Sequence, residues 1–468
     1  MDQLTDIRFD FLPDPPDGIY LVGGALRDML TGRTPLDIDL VVRGEITAMA
    51  AKIAELTGGR PIDLGKKGFP LFRVVSPTTT IDITPMTGKS IEADLQARDF
   101  TFNAMAYDLK AKHLIDCTGG LADIRRKVIR MVSPDAFVHD PARLVRAYRF
   151  AAELDFALAD ATGEAIADHR HRIETVAGER IWAELIKILN TSRCAATFRR
   201  MAASGLLTAI FPELEPSIGC TQNRHHRFDV FEHSLRAVHY LETLLANFDR
   251  RFPDLAAVAR KAGLPDHAPL LKYSALLHDV GKPATRRIET NGRVRFPGHA
   301  AKSALIVQTI NRRLRLSRHQ DKIAETVIRH HIRPLFLFIA WQNGTLGPNG
   351  KTRFFNRCGP LALPIVVHAM ADIMAKGKTL ENRDSDFIRF CHRLAVAHGI
   401  FQDRQATTKP LINGYDLMNE LGLAPSPRFK QILSKVDEQR LCGTLSSREQ
   451  ALGWVRAYLK RSRPHADA

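Results

Sequence analysis

The chain has 468 residues, too many for one ordinary hydrophobic core, so two to four domains are expected. It carries 67 Lys and Arg residues against 51 Asp and Glu residues, a formal net charge of +16 that favours a polyanionic partner, with nucleic acid as the first candidate. Six dispersed cysteines without a C-x-x-C pair argue against a zinc ribbon or a disulfide framework and indicate the cytoplasm, and no apolar run approaches the length of a membrane span.

A glycine turn follows the first predicted strand, Ile19–Val22. The turn is formed by Gly23 and Gly24 and leads into a short helix that carries Arg27 and Asp28. Glycine lets the backbone come close to a polyphosphate, and backbone N–H groups at the start of a helix favour anions. The stretch is therefore a candidate phosphate-binding turn, although a Gly-Gly pair alone is compatible with any turn.

The second predicted strand carries two aspartates on one side. Side chains alternate along a strand, so Asp37 and Asp39 share a face while Ile38 is expected to point into the core. Two carboxylates placed in this way can share divalent metal ions, and two such ions can hold the attacking and leaving oxygens of a phosphoryl transfer. D-x-D is also common on solvated strand faces. Asp82, on a later predicted strand, is either a third metal ligand or an exposed strand residue.

The combined pattern V-G-G-x-x-R-D followed by D-x-D carries a family resemblance. It resembles the first motif of class II tRNA nucleotidyltransferases and bacterial poly(A) polymerases, which share the polymerase-β-like nucleotidyltransferase fold. The resemblance implies an α+β fold class, with a head made of a small mixed sheet and helices and an all-helical remainder. It also implies that Asp37 and Asp39 are the catalytic residues and bind Mg²⁺.

A second motif lies in the stretch from Arg98 to Asp108, which is predicted to continue into an apolar helical run. An arginine beside a D-x-D site can bind triphosphate oxygens through two parallel bonds, and Asn103 can bond a ribose hydroxyl. The stretch resembles the family's second motif, usually R-R-D-x-x-x-N, with Ala97 in place of the first arginine. The two motifs together imply nucleotide binding by Gly23, Gly24, Arg27, Asp28, Arg98, Asp99 and Asn103.

The stretch from His139 to Leu154 is predicted to be a helix on which Asp140 and Arg143 are neighbours on one face. A carboxylate beside a guanidinium offers acceptors and donors in a fixed layout, which can select a base edge without a template. A bare D-x-x-R is more often a surface salt bridge. This string resembles the family's fourth motif, E-D-x-x-R, whose Asp and Arg read CTP or ATP, with His139 in place of Glu. The nucleotide-binding residues implied here are Asp140, Arg143, Arg146 and Arg149.

Histidines become important after about residue 217. His233 begins a predicted helix, His278 and Asp279 end another, and Asp372 follows later. Imidazoles and carboxylates together suit a divalent metal, whereas a lone histidine is more often structural. The H…HD…D order resembles HD-type metal-dependent phosphohydrolases, which implies that these four residues bind a divalent metal of unknown identity. The candidates for a second metal are His299 and one of His330 and His331.

The resemblance covers nearly the whole chain and implies four parts. These are a nucleotidyltransferase head over 1–135, a helical neck with base recognition over 136–216, an HD domain over 217–385 and a helical tail over 386–468. The amphipathic helix Gly178–Leu189 resembles the fifth motif and is interpreted as a structural element of the neck. The tail is a candidate for tRNA contact through phosphates.

The sequence therefore predicts template-independent addition of CCA, or only CC, from CTP and ATP to the 3′ end of tRNA, with an additional HD phosphohydrolase activity. Complete CCA-adding relatives usually carry a longer flexible segment between the positions of Thr84 and Arg98, so the short segment here favours a CC-adding enzyme. One alternative is a poly(A) polymerase, which the HD histidines disfavour. The other is a phosphohydrolase acting on 2′,3′-cyclic or terminal phosphates of RNA. The expected partners are tRNA, CTP and ATP, with no membrane, and the oligomeric state is not predicted.

Overall fold

The computed structural model describes residues 12–35, 37–65, 70–223, 226–377, 382–407 and 409–461. The chain forms two compact units. The first extends to Arg193 and resumes over Arg199–Ile210, and the second comprises Cys194–Phe198 and the chain from Phe211 onward. The fold class predicted from the sequence is confirmed, because a mixed sheet with helices precedes a helical remainder. The finer division into four parts remains a prediction.

A seven-stranded sheet organises the first unit, with strand order β3-β4-β5-β2-β1-β6-β7. The pair β2–β5 is parallel, and the other neighbouring pairs are antiparallel. The parallel pair sets Asp39 opposite Asp82 in register. The strands are β1 (Ile19–Val22), β2 (Asp37–Val42), β3 (Arg60–Asp63), β4 (Phe72–Val75), β5 (Thr80–Pro85), β6 (Ala106–Asp108) and β7 (His113–Ile115), and a separate short pair is β8 (Val128–Ile129) with β9 (Ala157–Leu158).

Ten helices begin between Gly23 and Leu206 in the described part of the chain, and an aromatic cluster lies among those of the first unit. Phe100, Phe102 and Phe150 contact one another at ring-centroid distances of 5.1–5.8 Å. The helices are α1 (Gly23–Leu30), α2 (Ile46–Thr57), α3 (Ile91–Gln96), α4 (Gly120–Arg126), α5 (Ala136–His139), α6 (Arg143–Leu154), α7 (Asp160–His169), α8 (Gly178–Asn190), α9 (Cys194–Ala203) and α10 (Leu206–Ile210).

The prediction of a helical run after Arg98 is wrong. Only one 3₁₀ turn forms, at Thr101–Asn103, and the chain then enters strand β6. The reason is tertiary, because β6 pairs with β1 and sets Ala106 opposite Val22. Another difference concerns Ile38, which is half-buried rather than part of the core.

The predicted helix from His139 is also interrupted. Asp140 has extended backbone angles (φ −142°, ψ 93°) and separates α5 from α6. Proline disfavours helical angles in the residue before it, and Pro141 follows directly. Asp140 and Arg143 therefore do not lie on one helical face, since Asp140 precedes the helix that Arg143 begins.

The second unit is built from helices, four of which, α11, α14, α17 and α20, pack against one another around a buried centre. The helices are α11 (Val230–Ala246), α12 (Phe248–Arg251), α13 (Ala256–Lys261), α14 (Leu264–Leu277), α15 (Lys282–Thr285), α16 (His299–Arg313), α17 (Arg318–His330), α18 (Arg333–Gln342), α19 (Pro348–Cys358), α20 (Ala362–Met374), α21 (Asn382–Thr407), α22 (Gly414–Asn419), α23 (Arg428–Leu441) and α24 (Arg448–Arg461), with one hairpin of β10 (Arg287–Ile288) and β11 (Val294–Arg295).

Within the described part of the chain, one helical stretch, Asn349–Met374, is long and apolar enough to cross a membrane by length and composition alone. However, 72% of its most apolar window is buried inside the structure, as expected of a core helix. All six cysteines are free, in agreement with the sequence, and the cytoplasmic location remains a prediction.

Gly120, the first residue of α4, provides a test of the packing in the first unit. A Cβ atom there would lie 2.2 Å from the backbone oxygen of Thr101, whereas a Cβ at Gly163 in α7 would meet nothing within 4 Å. We expect Gly120→Ala to lower the free energy of unfolding by about 3 kcal/mol, because backbone cannot yield cheaply. Gly163→Ala should raise it by about 0.5–1 kcal/mol through helix propensity. Urea unfolding measures both, and equal stabilities would contradict the packing.

Candidate functional site

The glycine turn is packed against the Asp39 carboxylate. Gly23 has φ +69°, and a Cβ atom there would lie 3.0 Å from Oδ2 of Asp39 and 3.6 Å from a guanidinium nitrogen of Arg98. A Cβ at Gly24 would lie 3.8 Å from the same carboxylate oxygen. Register explains the contact, because Val22, the residue before the turn, pairs with Asp39. The first two motifs thus meet at one point, and the positive φ and the tight contact at Gly23 favour glycine there.

Three carboxylates line the same part of the sheet. Asp37 is exposed and Asp39 is half-buried on β2, while Asp82 faces Asp39 from β5. Burial, followed by repulsion from Asp82, raises the pKa of Asp39. A divalent cation would relieve this repulsion, so the donor set fits Mg²⁺, which prefers oxygen ligands.

Asp82 has a partner that the sequence did not predict. Arg73 on β4 donates two hydrogen bonds to its carboxylate, both 2.7 Å long, from the position directly opposite in register. This bidentate pair occupies both carboxylate oxygens. Asp82 is therefore fixed by a neighbouring strand, with one lone pair of each carboxylate oxygen engaged, and its role as a third metal ligand remains a prediction.

Asp94 accepts hydrogen bonds from Nε and Nη2 of Arg98, at 3.0 and 2.9 Å. These bonds hold the Arg98 guanidinium close to the carboxylates. Asp94 is buried in α3 and also accepts the backbone N–H of Thr87 at 2.9 Å. The short segment between β5 and Arg98 is thus a five-residue loop, 86–90, followed by an ordered helix that Ser90 caps. Its length agrees with the count from the sequence, and the anchoring by Asp94 was not predicted.

A hydrogen-bonded chain connects the second motif to the arginines of α6. Arg27 donates to Oδ1 of Asn103 at 3.2 Å, Asn103 donates to Asp99 at 3.3 Å, and Asp99 accepts from Arg146 at 3.3 Å. Arg27 also pairs with its neighbour Asp28 at 2.7 Å. Five of the predicted nucleotide-binding residues therefore hold one another, and this network fixes their side chains before any ligand is bound.

Glu184 on α8 joins two of the predicted arginines, a role that was not predicted from the sequence. It accepts Nε of Arg146 at 3.0 Å and Nε of Arg149 at 2.5 Å, and its side chain is only 11% exposed. Arg149 also stacks over Phe150, with its guanidinium carbon 3.9 Å from the ring centroid. The signal was present in the sequence, because Arg180 and Glu184 are four residues apart on an amphipathic helix and therefore share a face.

The base-reading pair is arranged differently from the prediction. Asp140 accepts from Arg180 of α8 at 2.9 Å rather than from Arg143. Arg143 donates instead to the backbone oxygens of Ala97 and Arg98, at 3.1 and 3.3 Å. Burial opposes ionisation of Asp140, but the hydrogen bond and charge of Arg180, together with Arg146 and the backbone N–H of Ala142, outweigh burial and lower the pKa of Asp140. Asp140 is thus an ionised acceptor, and Arg143 is fixed beside Arg98.

A second site lies in the buried centre of the second unit. One nitrogen or oxygen atom from each of His233, His278 and Asp372 lies within 4.8 Å of the others, and the same holds for His278, Asp279 and His331. The Nε2 atom of His233 is 2.9 Å from Asp372, and that of His278 is 3.1 Å from Asp279. The four residues predicted for the HD site are therefore brought together.

The polar atoms of this cluster fit a divalent metal. Nε2 of His278 and both carboxylate oxygens of Asp279 are buried without a well-directed hydrogen bond. Burial lowers the pKa of His278, but Asp279 and Asp372 outweigh it and raise that pKa to about 10. Buried imidazole and carboxylate atoms that converge with some of them left without a well-directed hydrogen bond form a ligand set that a cation would complete. A cavity of about 430 Å³ opens beside them, with Lys282 in its lining.

Of the three candidate ligands for a second metal, two lie at the metal centre and one does not. His299 and His331 approach each other at 3.3 Å and lie 3.5 and 3.8 Å from Oδ1 of Asp279. His330 is not part of the cluster and lines a different cavity. His368, which was not predicted, is fully buried with its ring centroid 5.1 Å from that of His278. Its spacing from Asp372, four residues along one helix, is a signal that the sequence contains.

Both sites lie in stretches of the chain that match known family models. A family described as poly A polymerase head domain matches residues 19–86 and 71–130. The probable RNA and SrmB-binding site of polymerase A matches 155–218, and the HD domain matches 230–339.

Two full-length relatives have curated functions. The chain is 33% identical to an A-adding tRNA nucleotidyltransferase of Deinococcus radiodurans, covering 96% of this chain and 98% of that protein. It is 30% identical to a CC-adding tRNA nucleotidyltransferase of Thermus thermophilus, over 96% and 95%. Its fold is similar to that of the Thermotoga maritima CCA-adding enzyme complexed with tRNA, with a TM-score of 0.62, 21% identity and 98% of both chains covered.

Glu184→Gln tests the network in the first unit. The substitution keeps the shape and removes the charge shared by Arg146 and Arg149, so we expect the free energy of unfolding to fall by about 2 kcal/mol. Glu153→Gln is the matched control, because Glu153 also bonds Arg149 but is 32% exposed. It should cost less than about 1 kcal/mol. Urea unfolding of both variants measures these losses. A larger loss of stability in Glu153→Gln than in Glu184→Gln would contradict the central place of Glu184 in the network.

Proposed function

The chain belongs to the tRNA nucleotidyltransferase family, and we propose that it adds nucleotides from CTP and ATP to the 3′ end of tRNA without a template. The observation that carries the proposal is the meeting of the glycine turn, Asp39 and Arg98 within 4 Å. This arrangement brings a metal-ligating carboxylate, a guanidinium and a close-packed backbone turn to one place, as transfer from a triphosphate requires.

The residues of the head take separate roles in this proposal. Asp37 and Asp39 hold Mg²⁺, which when bound activates the attacking hydroxyl and neutralises the departing pyrophosphate. Arg98 and the Gly23-Gly24 turn bind the triphosphate. Asp94 positions Arg98, so the guanidinium reaches the phosphates with few conformations left to lose.

Base selection is assigned to the contact region between α6 and α8. Asp140 accepts from the exocyclic amino group that cytosine and adenine share, while Arg143 supplies donors to the ring acceptors. The pairing with Arg180 supports this role, because it keeps Asp140 ionised and fixed. Arg146 and Arg149 support the site through Glu184 rather than through the nucleotide.

The product is proposed to be partial, with CC as the expected addition. The loop at 86–90 is short, and α3 follows it as an anchored helix. The two curated relatives named above add A and CC, respectively, which is compatible with partial addition and leaves the choice to experiment.

The assay uses tRNA transcripts that end at the discriminator base, at C and at CC, each incubated with Mg²⁺ and CTP, ATP or both. We expect extension by CC and no A, read as product length on a sequencing gel. Asp39→Asn should lower the rate at least about 100-fold, since groups that only orient metal ligands already cost about 10- to 100-fold. Asp63→Asn, an exposed carboxylate on the edge strand β3, is the control and should be unchanged.

The outcomes separate the alternatives. Addition of C, C and A in order would make the chain a complete enzyme, and addition of A to tRNA ending in CC would make it an A-adding one. Long A tracts on any RNA would assign it to the poly(A) polymerases. Full activity of Asp39→Asn would overturn the metal assignment.

We also propose that the second unit hydrolyses phosphate esters, such as 2′,3′-cyclic or terminal phosphates, with a divalent metal. The observation is the pair of overlapping His and Asp groups beside a cavity lined by Lys282 and Arg293. The metal, when bound, supplies an activated water. The basic lining suits an anionic phosphate ester.

His233→Ala tests the metal centre. We expect metal affinity, measured by equilibrium dialysis with Mn²⁺, Co²⁺ and Ni²⁺, to fall at least about 100-fold, and hydrolysis of 2′,3′-cyclic AMP to be lost. Addition of nucleotides to tRNA should persist. His239→Ala is the control, because His239 lies on the same helix but is exposed. Normal metal binding by His233→Ala would contradict the assigned ligand.

A further inference from the structure

A second cavity of the second unit, which we name the arginine pocket, is lined by three guanidiniums. Arg333 begins α18, while Arg353 and Arg357 lie one turn apart on α19. Phe354 and His330 complete the part of the lining used here, and the cavity measures about 310 Å³. Arg353, Phe354 and Arg357 follow helical spacing, so one face of α19 presents these three side chains to the pocket.

The charge of the arginine pocket is incompletely balanced. Arg353 lies 3.6 Å from Glu438, beyond hydrogen-bond distance. Among the described residues, Arg333 and Arg357 form no ion pair with a carboxylate. Two guanidiniums, those of Arg333 and Arg357, are thus held around one cavity without a carboxylate partner among the described residues, which indicates an anion that is supplied from outside.

The chemistry of the lining favours a phosphate. Guanidiniums bind phosphate oxygens through paired hydrogen bonds, which suits Arg better than Lys. All three arginines are exposed, so they can reach a large ligand. Phe354 is only 6% exposed and offers no free ring face on which a base could stack. The pocket therefore suits a backbone phosphate rather than a nucleobase.

Resting on the proposed function, we propose that the arginine pocket binds a phosphodiester of the tRNA backbone. The pocket is separate from the metal centre. His331 belongs to that centre, whereas His330, the preceding residue, lines the pocket. The excess of basic residues across the chain favours a polyanion as the source of the phosphate, and a free nucleotide is the competing source of the same chemistry.

The test measures binding of a fluorescent tRNA transcript to the full chain by anisotropy over a series of salt concentrations, without CTP or ATP. We expect Arg333→Ala/Arg357→Ala to raise Kd about tenfold. The slope of log Kd against log salt should fall by about 2, one for each lost phosphate contact. Extension at saturating tRNA should keep its kcat. Arg312→Ala/Arg318→Ala removes the same charge from exposed positions outside the pocket and should change Kd less than about threefold.

Three results would overturn the proposal. The first is equal Kd and equal salt slope for the pocket variant and the control variant. The second is unchanged tRNA binding together with loss of cytidine 5′-monophosphate binding, which would assign the pocket to free nucleotides. The third concerns a double variant that unfolds at a lower temperature than the parent chain. In that case tRNA binding is measured with Arg357→Glu instead, and a Kd equal to that of the parent would overturn the proposal. A parent chain that binds tRNA without extending it would refute the proposed function alone.

Discussion

The close contact between the glycine turn and the Asp39 carboxylate is the constraint on which the first unit depends. The antiparallel pairing of β1 with β2 brings the turn and the carboxylate together, and the parallel pairing of β2 with β5 adds a second carboxylate opposite the first. Burial and like charge make Asp39 costly to ionise, which the chain offsets with Arg98 and a backbone N–H of Gly24. A buried carboxylate with a raised pKa, next to a guanidinium and a backbone turn, forms a site suited to a cation and a polyphosphate.

Around that point the first unit uses ion pairs to fix geometry rather than to add stability. Asp94 holds Arg98, Asp99 and Glu184 hold Arg146, and Arg180 holds Asp140. Half-buried pairs of this kind contribute little net stability, because desolvation opposes the attraction. Their value is that each guanidinium or carboxylate has one orientation, which is what discrimination between similar bases demands.

The second unit also buries ionisable groups, but there they are clustered histidines and aspartates rather than arginine–carboxylate pairs. Its centre contains five histidines and two aspartates that helices α11, α14, α16, α17 and α20 bring together, and several of their buried polar atoms, including Nε2 of His278 and both carboxylate oxygens of Asp279, have no well-directed hydrogen bond. The arginine pocket repeats the pattern with one sign of charge. In both places the chain keeps partly compensated polar groups where packing alone would favour apolar ones, and such groups mark binding sites.

Sequence by itself determined the fold class, the two strands and the turn of the first motif, and the four HD residues, because short motifs fix their own local geometry. It could not determine partners that lie far apart in the chain. Asp140 is paired with Arg180 rather than Arg143, since Pro141 breaks the helix and only the packing of α6 on α8 decides which arginine arrives. The strand Ala106–Asp108 formed where a helix was predicted, because pairing with β1 outweighs local propensity. The choice between His330 and His331 likewise depended on the direction in which the end of α17 faces, which is a tertiary property.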